Sequence, residues 1–267
     1  MSSIHLTNGC LISLRPAGEH ESLRRHAARV GIALLALSPW KLRSCAGETA
    51  RGCLRMALDA PCVLFTSPAA VKAAAGLAAL HPRQGQYWLA VGAGTAEVLK
   101  RLGVAGARAP ARMDSEGVLA LPELAQVDTV GLVTAPGGRG LIAATLEQRG
   151  IRLIRANVYE RVPIRISAER YARLRALTAR PCTVVSSGEA LRHVMHQLPG
   201  DIATMLRNSP IVVASRRLAQ LAEDQGFSLI LQAAGPRPRQ LLDAAVPVLR
   251  PNPGTAALAS GHDAGDA

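Results

Sequence analysis

The sequence predicts an α/β protein of two domains, each a parallel sheet flanked by helices, joined by a two-stranded connector, with the first domain discontinuous. Three observations carry this. Short apolar runs alternate with helical stretches, the order of parallel βα units. One module of strand, serine-containing turn and helix occurs twice. The opening unit of one copy stands at the chain start, far from the rest of that copy.

In chain order, an apolar run at 10–14 is closed by Arg15-Pro16 and reads as a strand, followed by a helix at 20–30 that ends at Gly31. A second strand is expected at 32–37. The run 62–65 is a third, and Thr66-Ser67-Pro68 after it supplies a cap residue and a proline before a helix at 69–79. Strand 87–91 leads through Gly92-Ala93-Gly94-Thr95 into a helix at 96–102 that ends at Gly103. Strand 129–133, a helix at 140–149 ending at Gly150, and strand 152–158 follow. Strand 183–185 opens a helix at 189–197, strand 211–213 opens one at 217–225, and 229–231 is a last strand. The lengths suit βα units.

Ser67 lies twenty-eight residues before Thr95, and Ser187 twenty-eight before Ser215. Val63-Leu-Phe-Thr-Ser-Pro-Ala-Ala-Val71 answers Thr183-Val-Val-Ser-Ser-Gly-Glu-Ala-Leu191. The third unit of the contiguous copy, Val133-Thr-Ala-Pro-Gly-Gly-Arg139, has its counterpart in Ser13-Leu-Arg-Pro-Ala-Gly18. One copy is therefore split. The expected domains are 1–37 with 166–246, and 43–160 inserted between them, hinged at two adjacent connectors near Ser38-Pro-Trp-Lys-Leu42 and Val158-Tyr-Glu-Arg-Val-Pro163. The segment 247–267 is expected to be a disordered tail, being rich in Pro, Gly, Ala and Ser.

Hydrophobic residues form 49% of the chain and charged ones 19%, as in soluble globular proteins. The apolar runs fall far short of the roughly 20 residues a bilayer span needs, and the N-terminus lacks the order of a signal peptide. A cytoplasmic protein with no membrane partner is expected. Five scattered cysteines without a Cys-x-x-Cys pair point to buried structural thiols, not to disulfides or zinc. The net charge of +12 invites an anionic partner. Its source is 28 Arg against 3 Lys spread along the chain with only 3% aromatics, so no nucleic-acid partner is expected.

Parallel sheets bind ligands beyond the carboxyl ends of their strands. The loops there carry Thr66-Ser67, Gly94-Thr95, Gly138-Arg139, Ser187 and Ser215. Small and hydroxyl residues at helix starts let backbone N–H groups reach an anion; Gly94 in particular would let the backbone approach closely. The plainer reading makes Ser67, Thr95, Ser187 and Ser215 simple N-caps. Gly92-x-Gly94 lacks the third glycine of a dinucleotide fingerprint, and Gly137-Gly-Arg-Gly140 lacks the Lys-Ser/Thr of a phosphate loop. His193 and His196, one turn apart, have no third ligand of clear spacing and read as surface histidines. No metal or organic cofactor is expected.

The ordered set Phe65-Thr-Ser-Pro-x-Ala-Val71, Ala90-Val-Gly-x-Gly-Thr-Ala96, Asp114-Ser-Glu-Gly-x-Leu119, Gly137-Gly-Arg139, Val158-Tyr-Glu-Arg161, Ser186-Ser-Gly-Glu-Ala-Leu191 and Ser215-Arg-Arg-Leu-Ala219 resembles the uroporphyrinogen-III synthase family. The resemblance covers about residues 10–246 and implies two α/β domains bridged by two strands, the first domain discontinuous. It also implies the substrate hydroxymethylbilane, cyclised with inversion of the last pyrrole ring in haem biosynthesis. The expected actor is a monomer, in at most transient contact with the enzyme of the preceding step. On this resemblance Tyr159 is the candidate acid, its alternative role being packing in the connector, and Arg15, Thr66, Ser67, Gly94, Thr95, Gly138, Arg139, Ser187 and Ser215 are candidate substrate contacts. The sequence departs from the family with Ser-Leu-Arg-Pro where Thr-Arg-Pro is common, Ala69 after Ser-Pro, and Ser215-Arg-Arg near the end. A catalytically silent tetrapyrrole- or anion-binding regulator is the rival on the same fold.

Overall fold

The computed structural model describes residues 9–112, 115–137 and 140–250. The first stretch runs β1 (Cys10–Ser13), α1 (Glu21–Arg29), β2 (Ala33–Ala36), β3 (Trp40–Ser44), α2 (Glu48–Leu58), β4 (Cys62–Phe65), α3 (Pro68–Ala75), β5 (Tyr87–Ala90) and α4 (Ala93–Arg101). Then come α5 (Ser115–Leu119), a 3-10 turn at Pro122–Ala125, β6 (Thr129–Thr134), α6 (Leu141–Gln148), β7 (Arg152–Asn157) and β8 (Tyr159–Pro163). The chain closes with α7 (Ala168–Arg175), β9 (Pro181–Val185), α8 (Gly188–Gln197), α9 (Gly200–Arg207), β10 (Ile211–Val213), α10 (Arg216–Asp224), β11 (Ile230–Gln232) and α11 (Pro238–Leu249).

Two compact units emerge, residues 42–162 and residues 1–41 with 163–267. In the contiguous unit four parallel strands lie in the order β5-β4-β6-β7. Both faces of this sheet are covered. Alternate residues of β4 point to opposite sides: Val63 and Phe65 join a core with Trp88, Leu99 and Tyr159, while Cys62 and Leu64 join one with Leu89, Leu132 and Leu146. Continuous apolar strands are what a two-faced parallel sheet requires. In the other unit the order is β11-β10-β9-β1-β2, all parallel. Its core packs Leu11, Cys182, Val184 and Val212 against Leu23 and Ala27 of α1 and Leu241, Leu242 and Leu249 of α11. The order β10-β9-β1-β2 repeats β5-β4-β6-β7 strand for strand, and only β11 is extra. Where the chain passes from one unit to the other, β3 and β8 pair as a two-stranded sheet.

The sequence pattern missed α2, α5, α7, α9 and α11. Helix α2 carries Gly52 in its interior, which costs about 1 kcal/mol in propensity, and it persists because Leu54 and Ala57 bury against the sheet. Helix α11 runs through Pro247 to Leu249, past the expected end at 246. A proline in the last turn loses one backbone bond, and burial of Leu249 in the core outweighs it. The rest of the expected tail, 251–267, lies outside the described residues. Of the cysteines, Cys10, Cys62 and Cys182 are buried, but Cys45 and Cys53 are partly exposed, being on β3's flank and on α2 and not inside strands.

Candidate functional site

In the contiguous unit the chain leaves β4 toward β5 on one side and β6 toward β7 on the other, so strand order reverses between β4 and β6. At such a switch point the two outgoing loops diverge and leave a crevice. A cavity of about 250 Å³ opens there, lined among others by Thr66, Ser67, Thr134, Gly140, Arg155 and Tyr159.

Each polar group is placed by a local rule. Ser67 follows β4 as N-cap of α3, its Oγ accepting from the Ala70 N–H at 3.1 Å with Pro68 in the first helical turn. Tyr159 opens β8, its ring 5% exposed in the core beside Val158. Its hydroxyl lies 3.2 Å from Ser67 Oγ. When Ser67 donates to Tyr159, the phenol proton is released to a ligand; when Tyr159 donates, it rests on the serine. The register sets Phe65 beside Val133, so Thr66 and Thr134 emerge side by side, and Thr66 Oγ1 donates to Thr134 Oγ1 at 2.9 Å. Gly140, N-cap of α6, has φ 65°, a left-handed conformation costly for other residues, and α6 carries no acidic residue in its first turn. The positive end of the helix dipole therefore meets no acid of its own first turn beside the cavity.

The chain belongs to the uroporphyrinogen-III synthase family. A family model described as uroporphyrinogen-III synthase HemD matches residues 32–243. The fold is similar to a mutant uroporphyrinogen III synthase of the extremely thermophilic bacterium Thermus thermophilus, at 15% identity and TM-score 0.60, covering 88% of this chain and 96% of that one. It is also similar to the uroporphyrinogen-III synthetase of Helicobacter pylori, at 14% identity and TM-score 0.57, covering 89% and 98%. The family is one of lyases in tetrapyrrole synthesis. Among the described residues no helix is long and apolar enough to cross a membrane.

Of the site residues the sequence singles out for this family, the structure brings Thr66, Ser67 and Tyr159 to one cavity. Gly94 and Thr95 do not line it. They sit in the first turn of α4, which starts at Ala93 behind Gly92 as N-cap, so Gly94 is helical and Thr95 is buried in the helix instead of capping it. A Cβ on Gly94 would meet only Pro68 Cγ, at 3.9 Å, which is an ordinary contact. Gly138, Arg139 and Asp114 lie outside the described residues.

Ser187, in the discontinuous unit, caps α8 by accepting from the Ala190 N–H at 3.4 Å; Ser215 holds the N-cap position of α10 without a side-chain bond. Arg15 follows β1, where order reverses between β1 and β9, the counterpart of the β4–β6 switch point. Its Nε donates to the Glu19 carbonyl at 3.1 Å, and its Nη1 is buried without a hydrogen bond among the described residues. Burial pulls this guanidinium below its usual pKa, against the pull of Glu19.

Sequence reasoning missed Thr134, Arg155 and His20. Thr134 stands in the repeat unit Val133-Thr-Ala-Pro without having been singled out, Arg155 lies in β7 in no motif, and only the strand order brings them to the cavity. His20 bridges Ser13 Oγ at 3.0 Å and Ser38 Oγ at 2.8 Å, clamping β1, the start of α1 and the segment after β2. Burial, then Arg15, Arg24 and Arg170, lower its pKa to about 4 despite Glu19. Cys62 and Cys182 are unsuited to nucleophilic work: burial pushes Cys62, near Glu123, and Cys182 up to about 12.

Proposed function

We infer that this chain is a uroporphyrinogen-III synthase, a hydro-lyase that takes hydroxymethylbilane, expels its terminal hydroxyl as water and closes the macrocycle with the last ring inverted. The observation that carries the reading is the family match over 32–243, joined to a paired phenol and serine hydroxyl at a switch-point cavity. The chemistry asks little of a side chain. A proton passes to the departing hydroxyl, leaving an electron-poor azafulvene that the substituted carbon of the last ring attacks to form a spiro intermediate. That intermediate rearranges, and a ring proton is lost as the last pyrrole regains its aromaticity. Closure without inversion proceeds unaided, so the protein's task is to hold one conformation while the hydroxyl leaves.

In this reading Tyr159 donates that proton, supported by its hydroxyl's contact with Ser67 in the cavity. Ser67, held by the Ala70 N–H, can donate in turn to the phenol oxygen and so support the proton's departure. The α6 N-terminus, and Thr66 once Thr134 donates to it in return, supply neutral donors for carboxylate arms, and Arg15, Ser187 and Ser215 offer a guanidinium and helix starts for others. Gly138 and Arg139 belong to this reading through the family motif. Gly94 and Thr95 enter it only through the first-turn N–H groups of α4. We read the enzyme as a cytoplasmic monomer working without metal or organic cofactor, meeting the preceding enzyme transiently.

The test is to incubate freshly made hydroxymethylbilane with the protein, oxidise, and resolve the porphyrin isomers. The type III isomer is expected in excess, unaffected by a chelator. An isomer mixture equal to that of the enzyme-free reaction overturns the reading.

A further inference from the structure

The switch-point cavity holds a cation that the steps above leave unused. Arg155 stands near the end of β7 and lines the cavity together with Tyr159, Thr66, Ser67 and Arg161. Its Nε donates to Asn157 Oδ1 at 3.2 Å and its Nη2 to the Ala135 carbonyl at 3.3 Å. Both acceptors are neutral. Four other arginines of the same unit pair with carboxylates: Arg43 with Glu160, Arg55 with Glu48, Arg101 with Glu97 and Arg108 with Glu123. Arg155 makes no such pair among the described residues, and none of the cavity's described lining residues is Asp or Glu.

A guanidinium fixed by two neutral acceptors keeps its full charge and part of its donor fork for something that arrives. Its planar fork matches a carboxylate with two parallel bonds, which an ammonium cannot do. The other polar elements of the cavity point the same way, because the α6 N-terminus presents backbone N–H groups and the Ser67–Tyr159 pair, which spends one hydroxyl proton between its members, keeps the other for a ligand. The volume, about 250 Å³, is below the roughly 300–1,000 Å³ that encloses a drug-sized ligand. It takes one ring with its acid arms and not a four-ring chain.

We propose that Arg155 is a substrate-binding residue that pairs with a carboxylate arm of the pyrrole ring that enters this cavity. The assignment rests on the synthase reading above. It goes further in naming which ring feature the cavity binds, an acidic arm, and which side chain binds it.

The test uses full-length Arg155→Gln and Arg155→Lys beside the unaltered protein, with folding checked by circular dichroism. Steady-state cyclisation of hydroxymethylbilane is measured, as is equilibrium binding of uroporphyrin III, an eight-carboxylate probe, by fluorescence. Losing one charge-assisted contact made equally in ground and transition states should raise KM and the uroporphyrin Kd about tenfold for Arg155→Gln while kcat stays within about twofold. Arg155→Lys should fall between, keeping charge but losing the fork. A KM and Kd within about twofold of the unaltered protein overturn the proposal, as does a fall in kcat alone. The two readings separate cleanly: the isomer made by the unaltered protein judges the synthase assignment, and the uroporphyrin affinities judge Arg155 whatever that isomer is.

Discussion

Tyr159 is held by two constraints of different kinds. Its ring is packed into the core formed by β4, β5 and α3, and its hydroxyl reaches Ser67 at 3.2 Å. Tyr159→Phe keeps the first and removes the second. We expect it to lower kcat by about a hundredfold, the low end of the scale for one positioned proton donor, with type III product still above background because orientation survives; stopped-flow cyclisation with isomer analysis measures both. His20 makes a second residue-level prediction. In the unfolded chain its imidazole takes a proton near pH 6.5, whereas in the fold burial and the neighbouring arginines hold it neutral until about pH 4. As pH falls through that window the unfolded state binds the proton first, so stability contributed by the neutral clamp on Ser13 and Ser38 declines from about pH 6.5 downward. Urea midpoints measured from pH 7 to pH 4 should fall less steeply in His20→Gln than in the unaltered protein.

At the scale of elements, the site depends on a helix lying close enough to the sheet to fix its strands. Helix α2 crosses β6 at Gly131, where a Cβ would lie far inside the contact distance to the Ala57 carbonyl oxygen. The clash is with backbone, so no side-chain rotamer relieves it. Gly131→Ala should therefore destabilise the contiguous unit by about 3 kcal/mol, the upper part of the range for overpacking, read as a fall in Tm with a blunted Tyr159–Ser67 site. The motifs did announce the strands β4, β5 and β10 and the capped starts of α3 and α8, because burial on both faces and cap chemistry are written in adjacent residues. They did not announce α2 or α9, whose helicity follows from what Leu54, Ala57, Ile202 and Leu206 pack against.

For the whole molecule, the repeat argues that residues 42–162 hold a complete sheet with both faces covered by their own helices. Expressed alone, that segment should fold cooperatively, whereas 1–41 should not, since β1 takes its second partner, β9, from beyond residue 162. A single sigmoidal urea transition for the 42–162 fragment is the expected outcome, and a non-cooperative one would count against autonomy.

The sequence by itself determined the α/β class, the split repeat and the family, because two-faced burial, cap residues and their order along the chain are local properties. It also singled out Tyr159, Thr66 and Ser67. Only the tertiary structure decided which candidates share a cavity. Strand order, which sets β4 beside β6 and β6 beside β7, is a choice among non-local pairings that no neighbouring residues encode. That choice carries Thr134 and Arg155 to the cavity and leaves Gly94 and Thr95 inside a helix one strand away.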